Sequence, residues 1–131
     1  IAGVLAMQPQ LLILDEPMAG LDHAMRQELL AVFDHLHSPG ITLLLATHDI
    51  DFAYRWADRI HVMAGGRCTA AFDAGAFPEN APALTAAGLP VPGIIELHRQ
   101  LVAAGHLQAG QSPRSIGELT ELIKHQGKST Q

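Results

Sequence analysis

Two short apolar runs about thirty residues apart, each delivering polar side chains at its carboxyl end, constrain this chain more than any other feature. The first is Leu11-Leu12-Ile13-Leu14, leading into Asp15-Glu16-Pro17, and the second is Ile41-Thr42-Leu43-Leu44-Leu45-Ala46, leading into Thr47-His48-Asp49. Short, continuously hydrophobic runs suit strands buried on both faces, for which a parallel sheet is the natural host. Between them Asp22 is a good helix N-cap, and Met25, Leu29, Val32, Phe33 and Leu36 recur at helical spacing until Ser38-Pro39-Gly40 stops the element. The pattern predicts a strand-helix-strand crossover, a unit that is almost always right-handed.

After Asp49, a second N-cap, Ile50, Ala53, Tyr54 and Ala57 have the spacing of a short helix. Gly65-Gly66 separates Arg59–Met63 from Arg67–Phe72, which predicts a β-hairpin. The α/β core is expected to end near Phe77, giving a core over 1–77 and an accessory region over 78–131. The accessory region opens with four prolines between Pro78 and Gly93, a composition of loops and short helical turns. Two small helices follow. One starts at Pro92 and carries Ile94, Ile95, Leu97, Leu101 and Val102 to a stop at Gly105; the other starts at a capping box formed by Ser115 and Glu118. Residues 126–131 read as a frayed polar end.

With 131 residues, 48% hydrophobic and 16% charged, the chain can bury the core of one domain. A net charge of −5 without a Lys/Arg cluster leaves no footprint for nucleic acid or an anionic membrane surface. The apolar runs fall far short of the roughly 18 to 20 residues that span a bilayer, so no direct membrane insertion is expected. A single cysteine, Cys68, forms no intrachain disulfide, which suits a reducing cytosol. Ile1–Met7 reads as the tail of an apolar helix without a cap before it, as expected of a fragment, a processed form or a sequence that starts late.

In an open parallel sheet, ligands gather beyond the carboxyl ends of the strands, where Asp15 and His48 both fall. A carboxylate is a hard oxygen ligand suited to Mg²⁺, which is usually held by one or two carboxylates plus substrate phosphates; Asp15 fits that role. Strand alternation points Glu16 away from Asp15, free to orient an attacking water. His48, at the neighbouring strand tip, could reach and sense a terminal phosphate. Structural alternatives stand beside these: Asp15-Glu16 as a capping pair and His48 as a hydrogen-bonded packing histidine. No histidine pair has i, i+3 or i, i+4 spacing on a predicted helix, so His23, His35, His37, His61, His98, His106 and His125 read as surface or packing residues. Tyr54 and Trp56 read as helix packing residues.

Taken in order, these segments resemble the second half of an ATP-binding cassette (ABC) ATPase. Leu11 to Glu16 resembles the Walker B strand with its following glutamate, Ala19-Gly20-Leu21-Asp22 the D-loop, and Thr47-His48-Asp49 the H-loop. The resemblance implies an α/β fold, the second half of a P-loop NTPase domain with parallel strands, a β-hairpin and a small helical C-terminal tail. It implies that Asp15 helps hold Mg²⁺, Glu16 polarises the hydrolytic water, His48 contacts the γ-phosphate of ATP, and Asp22 acts at the interface of a nucleotide-sandwich dimer. The implied partners are a second ATPase subunit and transmembrane transporter subunits, at the cytoplasmic face of the membrane. The tail is similar, more loosely, to that of cobalt or energy-coupling factor importers.

Met18 and His23 stand where the family commonly has threonine and proline, and neither departure removes a catalytic group. The Gly-rich phosphate loop, glutamine loop and signature motif do not occur in the 131 residues, so this segment alone is expected to be inactive. Gly127-Lys128-Ser129-Thr130 imitates the end of a phosphate loop, but Leu122 occupies the position of its first glycine. The other readings of the whole are a non-hydrolytic interaction or dimerisation module and a soluble non-transport ABC ATPase.

Overall fold

The computed structural model describes residues 9–37 and 40–127. The helix expected over Ile1–Met7, the Ser38-Pro39 stop and the tail beyond Gly127 lie outside these residues. The chain divides into two compact units, residues 1–48 and residues 49–131.

The first unit holds β1 (Leu11–Asp15), α1 (His23–His37) and β2 (Thr42–Ala46). The strands pair in parallel, with Leu11 opposite Thr42 and Asp15 opposite Ala46. Asp22 caps α1 as expected: its Oδ1 accepts from the Met25 backbone N–H at 2.8 Å, satisfying one of the orphan donors of the first turn. Helix α1 buries Phe33 and Leu36 and packs against β2. One expectation fails here, because the strands are not buried on both faces. Leu12 is buried and Leu14, Leu43 and Leu45 are half-buried, whereas Leu11, Ile13 and Leu44 are 50%, 65% and 51% exposed. Side chains alternate along a strand, and one helix against two strands covers a single face.

The second unit holds α2 (Ile50–Trp56), the antiparallel hairpin β3 (Arg59–Ala64) and β4 (Arg67–Asp73), a 3-10 turn (Ala74–Ala76), and helices α3 (Ala81–Ala86), α4 (Gly93–Ala103) and α5 (Ile116–Gly127). Asp49 caps α2 by accepting from Phe52 N–H at 2.9 Å. Gly65 and Gly66 have φ of 56° and 74°, the left-handed pair that a type I′ turn demands and that matches the twist of the strands it joins. Tyr54, Val62, Phe72, Phe77, Leu84 and Ile95 form one buried cluster. Its aromatic rings meet edge to face, Tyr54 on Phe77 at 4.9 Å and Phe72 on Phe77 at 5.5 Å. Leu84 and Ile95 bring α3 and α4 into this cluster beside the hairpin.

Helices α3 and α4 end in the same way. The N–H of Gly88 bonds Thr85 O and that of Leu89 bonds Leu84 O; the N–H of Gly105 bonds Val102 O and that of His106 bonds Leu101 O. Both are Schellman motifs, each turning on a glycine at positive φ. Pro92 is the N-cap of α4 rather than its first helical residue. At α5 the expected box forms in half: Ser115 Oγ accepts from Glu118 N–H, while the Glu118 carboxylate accepts from Arg114 N–H one residue further back. Arg114 also donates to the carbonyls of Tyr54 and Ala57 at the end of α2, and its guanidinium lies 5.9 Å from the Tyr54 ring. Burial pushes the Tyr54 hydroxyl above the usual phenol range against the nearby Arg114 charge, keeping it a donor to Ser112 O.

Candidate active site at the ends of the parallel strands

Register puts Asp15 and Ala46 side by side at the carboxyl ends of β1 and β2, and the ladder continues one step as Glu16 N–H donates to Ala46 O at 2.8 Å. Glu16 then leaves the strand with φ +44°. A long side chain rarely occupies this left-handed region, and departures of this kind cluster at functional sites. Two short turns follow, closed by Ala19 N–H to Glu16 O and Leu21 N–H to Met18 O, with Met18 buried beneath them. Gly20 supplies the positive φ that lets the chain reach Asp22 and start α1.

The Glu16 carboxylate is the centre of the site. Its Oε1 accepts from the His48 backbone N–H at 2.9 Å and lies 2.7 Å from His48 Nδ1; its Oε2 accepts from the Thr47 hydroxyl at 3.3 Å. These bonds, that from the His48 ring first, hold the Glu16 carboxyl below the usual glutamate range against a smaller opposing effect of desolvation. A carboxylate has about four lone-pair positions, so among the described residues both on Oε1 are engaged and one on Oε2 is left to accept from a further donor such as water. The His48 side chain is 83% exposed, so a ligand has access to it.

Of the four residues singled out by sequence, the structure joins Glu16 and His48 directly. Asp15 stands exposed at the end of β1, next to Glu16 in the chain, and Asp22 is occupied in capping α1. Glu16 differs from its expectation in cause: its left-handed backbone, rather than strand alternation, turns it toward the second strand end. No group of three or more His, Cys, Asp and Glu side chains among the described residues could hold a metal ion. The exposed Asp15 carboxylate is a hard oxygen donor of the kind Mg²⁺ takes singly, the rest of its ligands coming from water and phosphate. Sequence reasoning gave Thr47 no role. The available signal was a hydroxyl directly before the strand-end histidine.

A family model described as "AAA domain, putative AbiEii toxin, Type IV TA system" matches residues 1–52, the stretch that contains both strand ends. The energy-coupling factor transporter ATP-binding protein EcfA2 of Methanospirillum hungatei is 38% identical over 129 residues, covering 95% of this chain and 31% of that protein. EcfA2 of Streptococcus pyogenes is 38% identical over 125 residues, covering 95% of this chain and 44% of that protein. The chain thus spans between about a third and under half of the length of these curated relatives. The solved structure of cbiO1 from Clostridium perfringens, part of the ABC transporter complex cbiONQ, matches with a TM-score of 0.55 and 35% identity over 75% of this chain and 39% of that one. The chain is a homologue of the ATP-binding proteins of energy-coupling factor transporters, and its fold over the matched residues is that of an ABC ATPase.

Proposed function

We propose that this chain is the C-terminal part of an ATP-binding subunit that hydrolyses ATP to drive uptake of a cobalt-like ion or a vitamin. The observation that carries the hydrolytic reading is the meeting of Glu16 with Thr47 and His48 at the carboxyl ends of two parallel strands. Glu16, held ionised at neutral pH, takes the hydrogen of the attacking water on Oε2 and aligns it. The exposed His48 ring contacts the γ-phosphate. Asp15 would hold Mg²⁺, which when bound offsets phosphate charge. Asp22 keeps α1 capped while its loop meets a second ATPase subunit. The same reading includes transmembrane partners, a place at the cytoplasmic membrane face and this class of cargo; the names of the transporter relatives support a transporter partner. No helix among the described residues is long and apolar enough to cross a membrane.

The complete subunit carrying Glu16→Gln tests the hydrolytic reading. Steady-state ATP hydrolysis should fall by roughly 10²- to 10⁴-fold with nucleotide binding retained. Hydrolysis near the wild-type rate would sink the assignment.

A further inference from the structure

We infer that Thr47 is a positioning residue for hydrolysis, fixing the rotation of the Glu16 carboxylate so that the unengaged lone pair on Oε2 faces a single direction. The inference rests on the proposed role of Glu16.

Glu16 is anchored unevenly. Both short contacts, at 2.7 and 2.9 Å, fall on Oε1 and come from His48. They locate that oxygen, but the side chain can still pivot about it through coupled changes of its torsions, which would move Oε2. Among the described residues only the Thr47 hydroxyl holds Oε2. Thr47 is suited to this: it is half-buried just beyond β2 and β-branched, with stiff χ1, so its hydroxyl has few directions to choose from. The strained φ of +44° at Glu16 sets the direction in which its side chain leaves the backbone. Loss of the hydroxyl therefore leaves Glu16 in place and ionised but poorly aimed, and misplacement of this kind lowers turnover without weakening substrate binding.

Three substitutions in the complete subunit read this out. Thr47→Val keeps shape and removes the hydroxyl; it should lower kcat by roughly 3- to 30-fold, with KM for Mg-ATP unchanged within about twofold. Thr47→Ser should restore kcat to within about threefold of wild type. Thr47→Ala repeats the hydroxyl deletion in a smaller side chain, should the valine not fold. Added to Glu16→Gln, the valine should have no further effect, because both then remove one function. Wild-type kcat in both Thr47→Val and Thr47→Ala, or an effect confined to KM, overturns the role of Thr47 while a crippled Glu16→Gln leaves that of Glu16 intact. A near-normal Glu16→Gln overturns the role of Glu16, and that of Thr47 with it.

Discussion

The two units of the chain divide chemistry from packing. Residues 1–48 carry every group assigned to hydrolysis, yet among their described residues only Leu12, Met18, Phe33 and Leu36 are buried apolar side chains, and Leu11, Ile13 and Leu44 lie on an open sheet face. Residues 49–131 carry no assigned chemistry, but hold a cluster of aromatic and aliphatic side chains, two Schellman-terminated helices and a turn of ideal composition. A site on a lightly packed unit can include a left-handed glutamate and an exposed histidine, features that a tight core does not need. Packing and activity should therefore respond to different mutations.

The largest expected effect is on activity. His48→Ala in the complete subunit should lower hydrolysis by about 10²- to 10³-fold, the usual loss for one preorganised polar partner of a charged transition state. Circular dichroism of this variant should stay unchanged; collapse of the fold would erase the contrast. Ile95→Ala should do the reverse. It opens a cavity at a fully buried position and should destabilise by about 2–5 kcal/mol in urea unfolding. Asp22→Ala removes the cap of α1 and should lower stability by about 1 kcal/mol, read from the same experiment. Ile13→Thr should change stability by no more than about 0.5 kcal/mol, because the side chain is mostly in water. A loss near that of Ile95→Ala would mean that the open face is covered in solution.

A pH titration sharpens the comparison further. Glu16 has a carboxyl pKa below its ordinary value of 4.5, so its contacts contribute fully above that value and are lost as pH falls through the lower one. Amide exchange at His48, whose N–H donates to Glu16, should lose protection in that acid window. Exchange at Phe72, in the cluster of the second unit, should not follow it.

Where residues speak locally, the sequence was legible. Two caps, a glycine turn, the parallel pairing and the placement of Glu16 and His48 at neighbouring strand ends all follow from side-chain type and spacing. Burial of the strands was not, because continuous hydrophobicity in Leu11–Leu14 says that a face can be covered and not what covers it. Nor was the turn at Glu16, since nothing in Asp15-Glu16-Pro17 signals a glutamate at positive φ. The ties of Arg114 to Tyr54 and Ala57 join positions 60 and 57 residues apart and left no periodic trace. The Glu118 carboxylate missed its capping-box partner by one residue because the Arg114 N–H was within its reach.

The two ladders also differ in when they can form. A hairpin closing on Gly65-Gly66 needs only neighbours in the chain, and such units assemble in about 1–10 μs. Leu11 meets Thr42 only after α1 has been laid between them, so the pairing that presents Glu16 to His48 waits on a long loop closure. Pulse-labelled amide exchange during refolding should find β3 and β4 protected before β2. The strand ends proposed to carry hydrolysis are then late to form, and their backbone stays unpaired longer than that of the hairpin.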